Sequence, residues 1–145
     1  MENLFSVLLS VYPLTAAVTA VSIGQVYKVL RAWVQDGTFH LELLKSSGGM
    51  PSCHSALMTA LTLAFGIQDG WSSTGFMICL TISFVILYDA MGVRRAAGEQ
   101  ARILNKLGAQ CEGKPLKEKL GHSPVEVLVG IILGIGTALA FLPFL

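Results

Sequence analysis

Four long apolar runs constrain the fold of this 145-residue chain most strongly. They extend from about Leu4 to Val26, Ser55 to Ile67, Ser73 to Leu87, and Val125 to Leu145. A bilayer-spanning helix needs about 20 apolar residues at about 1.5 Å each. The first, third and fourth runs reach this length with their flanks, whereas the short second run favours a tilted or partly re-entrant helix. We therefore expect an all-α integral membrane helical bundle with about four transmembrane segments, in a single domain over residues 1–145.

The composition supports a membrane protein and excludes several other classes. Charged residues make up 13% of the chain and the mean hydropathy is +0.66, against about 25% charged residues in soluble domains. The net charge of +1 gives no reason to expect a nucleic-acid partner. The three cysteines show neither paired nor zinc-type spacing, so we expect no disulfide framework, metal or other cofactor.

The positions of the basic residues predict how the chain is oriented in the membrane. No basic segment precedes the first apolar run, which we expect to be retained as a span rather than removed as a signal peptide. All ten Lys and Arg residues lie in two predicted loops, 28–50 and 91–122. With four spans these two loops share one side of the bilayer, and the positive-inside rule makes that side cytoplasmic. The expected localisation is therefore a multi-pass membrane protein with both basic loops facing the cytoplasm.

The second basic loop contains a predicted helix from Val93 to Leu107. Its charged residues recur at helical spacing, and Ala97, Ala101, Leu104 and Leu107 fill another face. This pattern is typical of an amphipathic helix lying at the membrane interface. The alternative is a simple solvated face in which Arg95 and Glu99 form an i,i+4 pair. Gly108 is the expected end of the helix.

One histidine motif, Met-Pro-Ser-Cys-His-Ser at 50–55, begins the second apolar run. The free N–H groups and positive end of a helix N-terminus attract anions. His54 would lose affinity for a proton there and regain it beside a bound phosphate, which suits a general acid. The alternative is a capped helix start in which His54 is an interfacial polar residue.

A second motif, Leu-Gly-His-Ser-Pro-Val-Glu at 120–126, begins the fourth run. Ser123, Pro124 and Glu126 fit a capping box. Alternatively, Glu126 orients the ring of His122 through one nitrogen and leaves the other free to attack phosphorus. The spacing alone leaves both interpretations open.

These motifs, together with Tyr-Asp-Ala at 88–90, Gly-Val-Arg-Arg-Ala-Ala-Gly at 92–98 and Leu-Asn at 104–105, resemble the divergent PAP2 family. These small membrane proteins are described as related to acid phosphatases and vanadium-dependent haloperoxidases, and the resemblance extends from Gln25 onward. It implies a metal-independent phosphoric monoester or pyrophosphate hydrolase that acts on a phosphorylated lipid through a phosphohistidine. His122 would be the nucleophile, His54 the acid, and Glu126 the orienting carboxylate in place of the usual aspartate. Ser52 would help to bind the phosphate.

The chain departs from the broader PAP2 pattern at its phosphate clamp. It has no Arg-Pro pair, Cys53 replaces a glycine, and Leu116 stands where an arginine is expected, with Lys117 one residue away. Such donors normally stabilise the transition-state charge. Candidate replacements are Lys28, Arg31, Lys45, Arg94, Arg95 and Lys117, with Arg94 and Arg95 preferred because they follow Asp89 at a membrane boundary.

The incomplete clamp supports a second hypothesis, a catalytically degenerate relative that binds an anionic headgroup or a protein partner without turnover. It also disfavours vanadate-dependent oxidation. Finally, Gly130 and Gly134 form a Gly-x-x-x-Gly pattern, which permits close helix packing within the chain or between copies in a homo-oligomer.

Overall fold

The computed structural model describes residues 11–37, 49–108, 110–111 and 113–144. Within these ranges the chain forms five α-helices: α1 (Tyr12–Asp36), α2 (Cys53–Asp69), α3 (Thr74–Met91), α4 (Val93–Lys106) and α5 (Pro124–Ala140). A 3-10 helix, Leu142–Phe144, follows α5. The predicted all-α class is confirmed. The sequence did not predict the small antiparallel hairpin that pairs β1 (Gln110–Cys111) with β2 (Lys114–Pro115).

Serine caps begin three of these helices close to the predicted positions. Ser52, Ser73 and Ser123 each accept a hydrogen bond from the backbone N–H three residues later. This bond satisfies one of the free donors of a helix start and stabilises it by about 1 kcal/mol. The amphipathic segment predicted from Val93 to Leu107 is α4, and Gly108 follows it with a positive φ of 79°.

The first basic loop is shorter than predicted, because α1 continues to Asp36. The residues after Val26 include good helix formers and no helix breaker before Gly37, which ends the helix with a φ of 68°. Lys28 and Arg31 therefore lie in a helix, and the prediction that placed them in a loop was wrong. The part of the first apolar run before residue 11 lies outside the described residues.

The helix α2 forms the centre of the bundle and packs against α1, α3 and α5. Its contact with α1 is made by small residues and Tyr12, all of them 0% exposed: Tyr12, Ala16, Ala20, Ala56, Ala60 and Ala64. The Tyr12 hydroxyl donates a hydrogen bond of 2.9 Å to the carbonyl of Ala138 in α5. Small side chains let the helix backbones approach closely, which suits packing in a lipid environment.

The contact between α2 and α5 depends on glycine. A methyl group added at Gly130 would lie 2.4 Å from the Ser52 carbonyl oxygen, and one at Gly134 would lie 2.5 Å from that of Ala56. The Gly-x-x-x-Gly pattern therefore packs against a helix of the same chain.

Two helical stretches of the described residues are long and apolar enough to cross a membrane, 74–106 and 124–144. The first contains both α3 and α4. Many large apolar side chains of α3 point outward, among them Phe84, Val85 and Tyr88, as expected where lipid rather than protein covers a helix. The number of four spans stays a prediction.

Candidate functional site

The two histidine motifs meet at one small cavity of about 90 Å³. Its lining residues are His54, Ile86, Asp89, Ala90, Arg94 and His122. His54 comes from the first turn of α2, His122 from the loop just before α5, and the other residues from the end of α3 and the start of α4. Residues far apart in the sequence thus surround a space that is ringed by titratable and charged groups.

The backbone around His122 is fixed onto the junction of α3 and α4. The His122 N–H donates a hydrogen bond of 2.9 Å to the Ala90 carbonyl. The preceding Gly121 has a φ of 73°, and a methyl group there would lie 2.4 Å from the Arg95 backbone nitrogen. Only glycine meets both conditions at little cost, so this position allows the loop to lie directly on α4.

Asn105 holds the earlier part of the same loop. Its side-chain amide donates to the Leu116 carbonyl at 2.9 Å and to the Glu118 carboxylate at 2.8 Å, and its side-chain oxygen accepts from the Leu116 N–H at 2.8 Å. A methyl group at Gly98 would lie 2.5 Å from the Glu118 carbonyl oxygen. The helix α4 is therefore the surface on which the loop that ends at His122 is laid.

Glu126 makes both contacts that the sequence left as alternatives, one within the helix cap and one with the His122 ring. Its Oε2 accepts a hydrogen bond of 2.9 Å from the Ser123 N–H, and Ser123 Oγ accepts one from the Glu126 N–H, so the capping box is present. The same Oε2 lies 3.3 Å from Nδ1 of His122. A neutral ring that donates from Nδ1 keeps a lone pair on Nε2.

His122 is only 4% exposed. Burial lowers its pKa most strongly, the hydrogen bond and charge of Glu126 act in the opposite direction, and the charges of Lys28 and His54 lower it further. The ring is therefore neutral near pH 7, the form that a nucleophilic histidine requires.

His54 lies at the mouth of the cavity, just before the apolar run, and part of the residue is exposed. Loss of water around the rest of the ring lowers its pKa, the positive charges of Arg94 and Lys28 lower it further, and Asp89 opposes them. A dianionic ligand in the cavity would reverse this balance and favour protonation.

Two cationic side chains, those of Arg94 and Lys28, lie in or near the cavity. Arg94 lines the cavity, and its Nε donates to the Asp89 carboxylate. Lys28 of α1 is 7% exposed and has no hydrogen-bond or ion-pair partner among the described residues, yet its charge acts on both histidines. A bound anion would supply a partner for this ammonium. The sequence did not favour Lys28, although a lysine among apolar residues of a helix is a signal of this kind.

The comparisons with known proteins bear on this arrangement. Residues 9–137 match the profile of the Divergent PAP2 family. The chain belongs to this family. An uncharacterized membrane protein of Bacillus subtilis (strain 168), YuiD, is 37% identical over 145 aligned residues, which cover 88% of this chain and 92% of the relative. No solved structure matches the chain. The family and the membrane character predicted from the sequence are thereby confirmed.

In this divergent PAP2 protein the remaining predicted site residues lie elsewhere. Ser52 is fully buried, its hydroxyl caps α2, and its N–H donates to the Glu126 carbonyl at 3.1 Å. Arg95 pairs with Glu99 at 3.5 Å on the other side of α4, and Lys117 is exposed in the loop. Neither lines the cavity. Lys45 lies outside the described residues.

Within the described part of this family member, no group of three or more His, Cys, Asp and Glu side chains is placed to hold a metal ion. The polar groups around the cavity are instead two imidazoles, one carboxylate and one guanidinium, with Glu126 and Lys28 close behind. Such a set can bind an anion, supply a nucleophile and move a proton.

Proposed function

We propose that this protein is a membrane-embedded hydrolase of a lipid-linked phosphate or pyrophosphate, acting without a metal through a phosphohistidine. The observation that carries the proposal is that His54, His122 and Arg94 line one cavity of about 90 Å³. A nucleophile, an acid and a phosphate-binding cation are the minimum that phosphoryl transfer to a side chain requires.

In the first step, Nε2 of His122 attacks the phosphorus atom while Glu126 keeps Nδ1 oriented, 3.3 Å away. A P–N bond forms and the bond from phosphorus to the lipid oxygen breaks. The protonated His54 ring gives its proton to the departing oxygen, so the lipid leaves as an alcohol, or as a phosphate from a pyrophosphate. The negative substrate itself favours the protonated form of His54.

In the second step, water attacks the phosphohistidine. His54, now neutral, takes a proton from the water as the P–O bond forms and the P–N bond breaks. Inorganic phosphate is released and both rings return to their initial states. One water is consumed for each ester or anhydride bond cleaved, so the cycle balances.

Charge stabilisation falls to Arg94 and Lys28 in place of the missing clamp. Arg94 can exchange its contact with Asp89 for a phosphate oxygen, and the ammonium of Lys28 has no competing partner among the described residues. Hydrogen bonds from such groups are charge-assisted and contribute about 1.5–3 kcal/mol each.

The substrate and the side of the membrane follow from the same argument. The site lies where α2 and α5 begin and α3 ends, and therefore at the end of the apolar helices, where a lipid phosphate is found. The clustering of basic residues beside it supports a multi-pass topology in which this end faces the cytoplasm.

The direct test is hydrolysis by purified protein in lipid nanodiscs, with phosphatidic acid and a polyprenyl diphosphate as substrates. We expect phosphate release that His122→Ala abolishes and that Glu126→Gln reduces at least tenfold. Glu99→Gln is the matched control, since it removes a carboxylate that pairs with Arg95 away from the cavity. Equal turnover by the wild type and His122→Ala would refute the proposal.

Asp89 favours a second candidate, a relative that binds an anionic headgroup without turnover. Its carboxylate lies in the cavity and engages Arg94, which opposes a phosphate dianion. Trapping a 32P-labelled phosphohistidine would exclude this candidate, whereas saturable binding of inorganic phosphate without any turnover would favour it.

A further inference from the structure

An apolar groove lies between α3 and α5. Both helices pack on α2, but they make little contact with each other, so the space between them stays open with α2 as its floor. The groove has a volume of about 330 Å³. Its floor and walls are formed by Thr59, Thr62, Leu63, Leu80, Ser83, Phe84, Leu87, Ile131 and Ile135.

Two of the three hydroxyl groups that line this groove, those of Thr62 and Ser83, are already paired. The Ser83 hydroxyl donates to the Cys79 carbonyl at 2.7 Å, and it lies 3.0 Å from the Thr62 hydroxyl, which therefore acts as the donor in that contact. An occupant of the groove gains van der Waals contacts and meets no unsatisfied hydrogen-bonding group from this pair. Such a lining suits a hydrocarbon.

The groove lies next to the histidine cavity along α3. Trp71 and Phe76 lie at its far end in an edge-to-face contact, with their ring centroids 5.3 Å apart. Toward the cavity, Leu87 of the groove is three residues before Ala90 of the cavity, and residues at this spacing share one face of a helix. Between Phe76 and Leu87 the helix rises about 16 Å, enough for much of an extended acyl or prenyl chain.

We propose that this groove binds one hydrocarbon chain of the phosphorylated lipid whose phosphate lies between His54 and His122. The inference rests on the proposed use of that cavity as a phosphate site, and it specifies a long-chain phosphate as the ligand. Proximity to the cavity is what separates a substrate chain from bulk lipid, since only a chain attached to a bound headgroup is held in register with the site.

A second apolar groove provides a control. It lies between α1 and α5, is lined by residues that include Thr19, Ile23 and Gly136, and has no lining residue on α3, the helix that lines both the proposed groove and the histidine cavity. A Cβ atom added at Gly136 meets nothing within 4 Å, and Gly136 lines this second groove, so Gly136→Leu adds a side chain there. Leu80→Trp fills the proposed substrate groove.

The test is photolabelling in nanodiscs with phosphatidic acid that carries a diazirine in one acyl chain, compared with diacylglycerol that carries the same chain. We expect phosphatidic acid to label Leu63, Phe84 and Ile135 about tenfold more than diacylglycerol, a difference of about 1.4 kcal/mol in binding. Leu80→Trp should abolish this excess and Gly136→Leu should leave it unchanged. Equal labelling by the two lipids in the wild type would overturn the inference, and this comparison needs no variant to fold.

The labelling and turnover assays distinguish failure of the groove proposal from failure of the hydrolase proposal. Because labelling measures binding, a protein that labels as expected but releases no phosphate would retain the groove and lose the proposed hydrolase function. Conversely, hydrolysis of a water-soluble short-chain phosphate with equal labelling by both lipids would retain the hydrolase and remove the groove.

Discussion

Gly130 provides the sharpest test of how α5 and α2 are joined beneath the site. A methyl group at this position would lie 2.4 Å from the Ser52 carbonyl oxygen and 2.9 Å from Cβ of Ser55. Carbon–oxygen contacts rarely fall below about 3.3 Å, so the two helices must separate by about 0.9 Å. The neighbouring hydrogen bond from the Ser52 N–H to the Glu126 carbonyl, 3.1 Å long, would stretch with them.

Gly136→Ala is the matched change, because a methyl group there meets nothing within 4 Å. Replacing glycine by alanine in an open helix position stabilises by up to about 1 kcal/mol, whereas overpacking costs about 1–3 kcal/mol. Both positions lie inside α5, so the helix preference for alanine contributes equally to the two variants and only the overpacking cost separates them. We therefore expect Gly130→Ala to be less stable than Gly136→Ala by about 1–3 kcal/mol. At roughly 2–4 °C per kcal/mol for a chain of this size, the midpoints should differ by roughly 2–12 °C.

The assay is reversible unfolding in mixed micelles of mild detergent and sodium dodecyl sulfate, with thermal unfolding as a second measurement. Since Ser52 directly precedes the turn that carries His54, Gly130→Ala should also weaken binding of inorganic phosphate. Equal unfolding midpoints for the two variants would refute the close helix contact and with it the argument that glycine brings the two histidines together.

Three further changes test the site and its support. Asn105→Ala removes three hydrogen bonds to the 116–118 segment and should lower the free energy of unfolding by about 1–3 kcal/mol. Amide hydrogen exchange at Leu116 should become faster, and Gln100→Ala, at an exposed position, is the control. Unchanged exchange at Leu116 would contradict the role assigned to Asn105. Lys28→Met should leave stability nearly unchanged, because Lys28 has no hydrogen-bond or ion-pair partner among the described residues to lose. Phosphate affinity measured by calorimetry should fall about tenfold or more, and retained affinity would exclude Lys28 from the site. In nitrogen-15 NMR titrations the pKa of His122 should lie below the usual 6.5. Glu126→Gln should lower this pKa further, because the carboxylate favours the charged ring. A rise in the pKa would show that Glu126 does not face the His122 ring.

The histidine pKa values also set the direction of the stability change with pH. Both rings have a lower pKa in the folded protein than in the unfolded chain, so the unfolded state binds more protons at acidic pH. Stability should therefore be constant above about pH 6.5 and fall as the pH drops through the folded-state values. His122→Gln should flatten this acid limb in the same micelle assay, and an acid limb identical to that of the wild type would assign it to other groups.

Local features of the fold were accessible from the sequence because local chemistry decides them. Serine at 52, 73 and 123 fixed the starts of three helices through a hydrogen bond to a residue only three positions away. Counting spans and locating basic residues predicted that the two histidine motifs face the same side of the membrane, and the family resemblance predicted that His54 and His122 share one site. These inferences need no knowledge of which helix face is buried.

The choice among cations did depend on helix faces, and the sequence could not make it. Arg94 and Arg95 are adjacent and therefore about 100° apart around α4, so packing directs only one of them to the cavity. The structure selects Arg94, while Arg95 pairs with Glu99 outside it. Lys28 was among the candidate cations but was not preferred, because its burial near the site depends on the rotation of α1 relative to α2.

Asp89 affects both the binding of an anion in the cavity and the protonation of His54. Although its carboxylate competes with phosphate for Arg94, its contacts support the proposed hydrolysis. Its ion pair with Arg94 is partly exposed, with side-chain exposures of 36% and 52%, and such pairs are worth only about 0–1 kcal/mol. A phosphate can therefore take over the guanidinium at little cost. The carboxylate that is released still faces His54 and raises its pKa, which favours the protonated ring that the leaving oxygen needs. In the proposed hydrolysis, the residue that competes with phosphate for Arg94 would thus also help to keep His54 protonated when the lipid phosphate is bound.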